Sequence, residues 1–197
     1  MKAYLLFSSA FMCFAAPGLF ASGIDATATF ADSLITPGNF QYDLTLNNTG
    51  TTTIGTFWFS WVPGDNFMPV SPTDINSPAG WQDVVTNGGP SGGFAIQWTA
   101  KTTTDDLAAG SSLSGFSFES SLAPSGLESP ASGTPSDPVS TAFVYNHEPF
   151  SDAGFQLTAH PAIVTSTPEP ATTLTLAVGL AGIILGSAWA RRRRISA

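Results

Sequence analysis

The sequence is short of cysteine and, over most of its length, of basic residues. Its one cysteine, Cys13, lies in an N-terminal segment that we expect to be removed, so the mature protein has neither a disulfide nor thiol chemistry. Between Asp25 and Glu169 there are fourteen acidic residues, a single lysine, Lys101, and no arginine. That stretch carries a net formal charge of about −13, which disfavours nucleic acid and anionic lipid surfaces as partners.

Long hydrophobic runs are confined to the two ends of the chain. At the N-terminus, Lys2 is followed by an apolar stretch that extends to Ala16, then by a Pro-Gly break and small residues. These are the three parts of a secretory signal peptide. We expect residues 1–23 to be this signal, with cleavage between Ala21 and Gly23. The remaining residues, 24–167, are enough chain for one folded domain.

The C-terminus contains the second apolar run, which has no charged residue from position 171 to position 190. As a helix, this run would span about 30 Å, the thickness of the hydrocarbon core of a bilayer. Four arginines follow directly, namely Arg191, Arg192, Arg193 and Arg194. Such a cluster stays on the cytoplasmic side of a membrane. The sequence therefore predicts a membrane helix that leaves the acidic domain outside.

The tripeptide Pro168-Glu169-Pro170 stands immediately before this apolar run. Its two prolines hold the backbone extended and keep it out of the helix, which leaves an accessible strip at the membrane surface. The order of tripeptide, apolar helix and arginine cluster over residues 168–194 resembles the bacterial PEP-CTERM sorting signal. The resemblance implies an exosortase-type membrane transpeptidase as a partner, which removes the tail. An ordinary single-pass anchor behind a proline-rich linker is the alternative.

Between the two signals, apolar and polar residues alternate in short segments, most clearly from Phe40 to Leu46. A turn at residues 47–50 leads into a second segment, residues 51–62, which we expect to form a hairpin with the first. Six further candidate strands are 24–30, 81–85, 94–98, 113–118, 142–145 and 155–159. We expect the Pro-, Ser- and Gly-rich residues 123–139 to form a long surface loop. The pattern predicts an all-β domain, an antiparallel β-sandwich of immunoglobulin-like or jelly-roll type.

Four tryptophans of this domain are candidates for stacking on sugar rings: Trp58, Trp61, Trp81 and Trp98. Large aromatic side chains in a small domain belong more often to the core, which is the reading we favour. Strand alternation places Trp58 on one face of its strand. The other face carries Phe57, Phe59 and Trp61, so one of the two groups is expected to be exposed. Trp58 and Trp81 are the candidate glycan contacts.

No catalytic constellation is apparent in the sequence. Asp105-Asp106 are neighbours along the chain, and so are His147-Glu148. Neighbours on a strand point to opposite faces, so neither pair is expected to act together on a substrate. His147 and His160 are thirteen residues apart with no third ligand type close by, which argues against a zinc site. Since no serine has an evident base partner either, we predict that the protein is not an enzyme.

Calcium is the one ion that the composition favours. Hard oxygen donors occur together in the expected loops, at Asp65-Asn66, Asp74-Asn76 and Asp105-Asp106. None of them has the spacing of a known calcium loop, and Asp and Asn also suit turns through their own side-chain hydrogen bonds. We therefore predict no cofactor and leave a structural calcium ion open.

Three classes of function follow from these observations. The first is a non-enzymatic structural or adhesive protein, exported across the inner membrane, anchored transiently and then placed on the cell surface or in the extracellular matrix. The PEP-CTERM resemblance implies this class and an association with exopolysaccharide. The second is a carbohydrate-binding module that uses exposed tryptophans, and the third is a secreted hydrolase, which would need convergent carboxylates in a cleft. The first class is our expectation.

Overall fold

The structure is a computed structural model that describes residues 23–88, 92–130 and 136–163. These residues lie almost entirely in the first of the two units into which the chain divides, Met1–Ala162. The predicted sorting signal, 168–194, and all but the last residue of the predicted signal peptide, 1–23, lie outside the described residues. Within the described ranges, no helix is both long and apolar enough to cross a membrane.

The described part of the chain consists mainly of β-strands, which confirms the prediction of an all-β domain. In chain order, the elements are β1 (Ala26–Thr36), β2 (Asn39–Asn48), β3 (Thr56–Phe59), β4 (Trp61–Val62), β5 (Asp65–Asn66), β6 (Thr73–Asn76), β7 (Trp81–Asn87), β8 (Phe94–Ala100), β9 (Ser112–Ser120), α1 (Pro124–Glu128), β10 (Thr141–Tyr145) and β11 (Phe155–Pro161). Valine, isoleucine, threonine and aromatic residues, which suit a pleated surface, make up four of the seven residues in each of β7 and β8.

One large sheet contains nine of these strands, in the order β6-β9-β2-β1-β11-β10-β3-β8-β7, while β4 and β5 form a separate hairpin. Neighbouring strands of the large sheet are antiparallel except β1 and β11, which run parallel. The prediction of a purely antiparallel arrangement is therefore wrong at this pair. The reason lies in β11, whose first half pairs with β10 and whose end, Ala159–Pro161, pairs with β1. This one strand joins the two halves of the sheet.

The sheet folds over so that its two halves face each other across the hydrophobic core. The ring centroid of Phe116, in β9, lies 5.3 Å from those of Phe57 in β3 and Trp98 in β8, which belong to the other half. Leu44 and Leu46 of β2 point into the same core, as their alternation predicts. Each half therefore also presents an outer face, away from the core.

The second predicted strand, residues 51–62, is interrupted in the structure. Residues before Thr56 form a loop, and β3 pairs with β10 and β8 rather than with β2. The predicted hairpin is therefore wrong. Buried Asn48 accounts for the difference, because its side-chain amide donates hydrogen bonds to the carbonyls of Thr52 (2.8 Å) and Leu107 (3.1 Å). These bonds hold the chain after β2 in a loop instead of a tight turn.

A reversal at Ser60 separates β3 from β4. Ser60 has a φ of 63°, in the left-handed region that a non-glycine residue rarely adopts. As a result, Trp61 packs with Trp58 on the outer face of the sheet, whereas Phe57 and Phe59 point into the core. The prediction that placed Trp61 on the same face as Phe57 is wrong, because alternation holds only along an unbroken strand.

Three short elements carry no pattern from which the sequence predicts them. Strand β5 is the polar pair Asp65–Asn66, and β6 is the polar segment Thr73–Asn76. Helix α1 lies within the predicted loop 123–139 and begins with Pro124, which suits the first turn of a helix. Its Leu127 is fully buried, so tertiary packing stabilises this short helix.

Candidate functional site

An aromatic cluster lies on the outer face of the half-sheet that contains β10, β3 and β8. Its members are Trp58, Trp61, Phe143, Tyr145 and Phe150. Residues 143 and 145 alternate with core residues Ala142 and Val144 along β10, which is why both rings face outward. The cluster is thus a second apolar centre, separate from the main core.

Two stacked indoles form the base of the aromatic cluster. The ring centroids of Trp58 and Trp61 are 3.8 Å apart, and the rings are 6° from parallel. Phe143 meets Trp61 edge-on, with centroids 5.7 Å apart and planes at 90°. Aromatic pairs of this kind contribute roughly 0.5–1.5 kcal/mol each beyond the area they bury. The base is therefore rigid and closely packed.

A chain of hydrogen bonds fixes the outward-facing indole of Trp58. Its Nε1 donates to the hydroxyl of Thr86 (3.3 Å), and that hydroxyl donates to Oδ1 of Asn66 (2.8 Å). The side-chain amide of Asn66 in turn donates to the carbonyl of Gly88 (2.9 Å). The chain connects β3 with β5 and with the end of β7, so the indole is held in one orientation.

Phe150 is the exposed member of the aromatic cluster. The residue is 65% exposed, although its ring centroid lies 5.8 Å from both indoles and 5.5 Å from Tyr145. It occupies the third position of a turn that is closed by a hydrogen bond from the Ser151 N–H to the Glu148 carbonyl (3.0 Å). With Pro149 in the second position and a φ of 65° at Phe150, this is a type II turn, which normally has glycine at that place.

The conformation of Phe150 has a cost. A side chain in the left-handed region raises the free energy of the folded state by roughly 1–2 kcal/mol relative to a residue without strain. The covered third of the residue recovers a similar amount, roughly 2 kcal/mol at about 25 cal/mol per Å², so the turn is tolerated although most of the ring stays in water. Backbone strain of this kind is concentrated at functional sites, so strain and exposure together identify Phe150 as the candidate contact residue.

The loop that carries Phe150, residues 146–154, is held in shape by Asp152. Its Oδ2 accepts a hydrogen bond from the N–H of Asn146 (3.1 Å), and its Oδ1 accepts one from the N–H of Gly154 (2.8 Å). Gly154 itself has a φ of 64°, and a β-carbon at this position would collide with the ring of Phe143. Asp152 thus fixes the loop backbone, and the absence of a β-carbon at Gly154 lets the loop pack closely on Phe143.

The structure brings together one pair of the predicted catalytic candidates, Asp106 and His147. The Nδ1 atom of His147 lies 3.1 Å from Oδ1 of Asp106, whose carboxylate is almost fully buried. Asp105 does not join this pair, because it accepts a hydrogen bond from the Thr102 hydroxyl (2.7 Å) within its own turn. Glu148 is exposed. The pair lies at the start of the 146–154 loop and anchors it to the turn that precedes Leu107.

Both tryptophans predicted to contact glycan are buried. Trp81 is 2% exposed, and its Nε1 donates to the backbone carbonyl of Asp105 (3.0 Å), while Trp58 is 6% exposed. The expectation that one group of aromatic side chains would expose a tryptophan is wrong, because Trp58 and Trp61 stack on each other and Trp81 and Trp98 pack against Phe116. The favoured interpretation, that the tryptophans are packing residues, is confirmed for Trp58, Trp61, Trp81 and Trp98.

The proposed oxygen donors for calcium are only partly in loops. Asp65 and Asn66 are buried in β5, and Asp74 and Asn76 lie in β6. His160 is exposed on β11. Among the residues that the structure describes, no three His, Cys, Asp or Glu side chains are grouped so that they could hold a metal ion. The absence of a cofactor stays a prediction, with a structural calcium ion as the open alternative.

Beside the aromatic cluster, the same outer face continues as a polar strip on β8 and β7, formed by Gln97, Thr99 and Gln82. In the register of the sheet, Gln97 pairs with Trp58 on one side and with Val84 on the other, so these three share a face. Thr99 pairs with Gln82 in the next row, and the Gln97 amide donates to the Thr99 hydroxyl (3.1 Å). These partly exposed amide and hydroxyl groups can both donate and accept hydrogen bonds.

Sequence reasoning missed Phe150. The residues Glu148-Pro149-Phe150-Ser151 contain a proline that indicates a turn, but nothing local tells whether the ring is exposed. A large aromatic residue directly after the proline, where a type II turn favours glycine, is the signal that could have drawn attention to it.

No protein-family model and no curated protein matches this chain. Among solved structures, it is similar to a GH20 exo-β-N-acetylglucosaminidase from Vibrio harveyi in complex with N-acetylglucosamine, with a TM-score of 0.40 and 14% identity over 69% of this chain and 18% of that one. For the chitin-binding domain of Chi18aC from Streptomyces coelicolor, the TM-score is 0.32 with 28% identity over 48% of this chain and 77% of that one. For CBM3b of the scaffoldin subunit ScaA from Acetivibrio cellulolyticus, the TM-score is 0.36 with 11% identity over 63% of this chain and 97% of that one.

The chain thus spans less than a fifth of the length of the glycosidase. With TM-scores below 0.5, none of these likenesses bears on the function of this chain. The function has to be argued from the site itself.

Proposed function

We propose that the described domain is a carbohydrate-binding module, a β-sandwich of immunoglobulin-like or jelly-roll type, that binds a glycan at Phe150 and the polar strip. The observation that carries the proposal is the exposed, strained ring of Phe150 on the rigid base of stacked indoles. The C–H groups of a sugar can pack on such a ring. The neighbouring amides and hydroxyl can bond to sugar hydroxyls, which gives the mixture of apolar and polar groups typical of ligand sites.

The size of the exposed apolar surface favours a sugar over a protein partner. Phe150 exposes about 130 Å², if a phenylalanine side chain presents roughly 200 Å² in all. A specific protein interface buries about 800 Å² on each partner. A single ring instead matches one sugar unit. The strongly negative charge of the domain disfavours nucleic acid as a competing ligand.

Binding is tested by titration calorimetry with soluble hexasaccharides of glucose, N-acetylglucosamine, glucosamine and xylose as probes. We expect at least one probe to bind the wild type and to lose roughly tenfold or more in affinity with Phe150→Gly, a change that keeps the turn conformation accessible. The matched control is Leu34→Ala, which removes an equally exposed apolar side chain from the β1–β2 hairpin. If no probe binds, or if both variants bind as the wild type does, the proposal is wrong.

Delivery to the cell exterior is the second part of the proposal. The Pro168-Glu169-Pro170 tripeptide, the apolar run 171–190 and the arginines 191–194 would hold the protein in the inner membrane until an exosortase removes the tail. The module then acts without catalysis on the cell surface or in an exopolysaccharide matrix. A purely structural or adhesive role of the domain in that matrix is the second candidate, which the acidic, base-poor composition favours.

Processing is tested by mass spectrometry of the protein from its native host, with Glu169→Ala as the variant because it keeps the apolar run and the arginines. We expect the wild type to lose everything beyond the tripeptide and the variant to keep it. Intact tails in both proteins would show an ordinary anchor and remove the sorting part of the proposal.

A further inference from the structure

The turn that presents Phe150 lies between two carboxylates. Glu148 is the first residue of the turn and is exposed, and Asp152 follows two residues after the ring. Both carboxylate oxygens of Asp152 are held by the backbone N–H groups of Asn146 and Gly154, so its charge has a fixed position. Neither carboxylate forms a salt bridge with any residue in the part of the chain that the structure describes. Along the chain, the ring therefore stands between two carboxylates that have no salt bridge among the described residues.

The negative charge of Asp152 acts on the aromatic cluster itself. Burial raises the pKa of the Tyr145 phenol, and the charge of Asp152 raises that pKa further. The Tyr145 ring lies 5.5 Å from the Phe150 ring, and Asp152 follows Phe150 by two residues in the same loop. The face of an aromatic ring is also the negative end of its quadrupole. Ring and carboxylates thus attract the same kind of ligand group, a cation.

We propose that this site prefers a glycan that bears protonated amino groups, such as a hexosamine polymer without N-acetyl groups, over neutral and anionic glycans. This inference rests on the proposed function and names its ligand class. The ammonium groups would lie over the Phe150 ring and beside Glu148, while the sugar hydroxyls meet the polar strip. An anionic glycan is repelled by the same carboxylates, which no lysine or arginine between positions 102 and 163 compensates.

The test compares three hexasaccharides of equal length, those of glucosamine, N-acetylglucosamine and galacturonic acid, by titration calorimetry of the exported protein. The titrations are run at low salt and about pH 5.5, where primary amines such as those of the glucosamine hexamer are protonated. We expect the glucosamine hexamer to bind roughly tenfold tighter than the N-acetylated one, and the galacturonate hexamer not to bind. High salt should reduce the preference, because exposed charges are screened.

Two charge-removing variants separate a local effect from the charge of the whole domain. Glu148→Gln is expected to reduce the preference for the glucosamine hexamer several-fold while leaving binding of the N-acetylated hexamer unchanged. Glu128→Gln removes the same charge from an exposed position at the end of α1 and is expected to change neither. If both variants weaken binding equally, the preference comes from net charge alone and the proposed contact is wrong.

The remaining outcomes distinguish this inference from the proposed function. Equal binding of glucosamine and N-acetylglucosamine hexamers, lost in Phe150→Gly, would overturn the preference and leave the carbohydrate-binding site in place. Binding of the glucosamine hexamer that is unaffected by Phe150→Gly would overturn both, since the ring would then have no role. Absence of binding to every probe would overturn the proposed function as well.

Discussion

The left-handed turn position of Phe150 predicts an unusual order of stability for two substitutions. Alanine keeps a β-carbon at a φ of 65° and therefore keeps a strain of roughly 1–2 kcal/mol, whereas glycine does not. Glycine in turn lowers the free energy of unfolding by about 0.5–1 kcal/mol relative to alanine, because it gives the unfolded chain more conformational freedom. We expect Phe150→Gly to be more stable than Phe150→Ala by about 0.5–1 kcal/mol, the reverse of the usual order.

The absolute cost of removing the ring follows from its burial. About a third of the Phe150 side chain is covered, or roughly 70 Å² of a total near 200 Å². At about 25 cal/mol per Å², the lost contacts are worth roughly 2 kcal/mol. Phe150→Ala is thus expected to lower the free energy of unfolding by about 2 kcal/mol, and Phe150→Gly by about 1 kcal/mol.

Urea unfolding followed by tryptophan fluorescence measures both values. Val84 provides the comparison site, because it is 50% exposed on β7 and has an ordinary extended backbone. There Val84→Gly should be less stable than Val84→Ala. If Phe150→Ala is also the more stable of its pair, the backbone at Phe150 is not left-handed, and the argument that strain identifies this residue as a contact fails.

Three further predictions concern the surroundings of the site and the core. Gly154→Ala should destabilise the protein by about 2 kcal/mol more than Gly110→Ala, measured by urea unfolding, because both have a positive φ but only the β-carbon at 154 meets a ring. Asn48→Ala should cost about 2 kcal/mol, since it removes the Asn48 donor from the Thr52 carbonyl and one of the two donors of the Leu107 carbonyl, which keeps the Ile54 N–H. Asn47→Ala, in a more exposed place, should cost less than about 0.5 kcal/mol. Burial raises the pKa of Tyr42, so stability that is complete below pH 10 should fall as the pH rises further, and Tyr42→Phe should flatten that fall in unfolding measurements across this range.

The fold was predictable where information is local. Alternation along residues 40–46 places Tyr42 and Leu44 in the core, and the structure agrees because one face of β2 is buried along this segment. The parallel pairing of β1 with β11 joins residues such as Ala28 and Ala159 that are far apart in the chain, and no local pattern encodes that choice. At Ser60 the local pattern was read correctly, but the positive φ of this residue breaks the alternation, so Trp61 lies on the face opposite to the predicted one.

The candidate site could not be predicted from the sequence. Which aromatic ring is exposed depends on the loop that covers the outer face of the sheet. Trp58 and Trp61 are the obvious sugar-stacking residues by type, but they satisfy each other by stacking. The loop after β10 then places Phe150 against both indoles, since β10 pairs with β3 in a register that puts Phe143 beside Trp58. The ring that faces water is therefore that of Phe150, which the covering loop supplies. The buried indoles of Trp58 and Trp61 support this ring but do not themselves face a ligand.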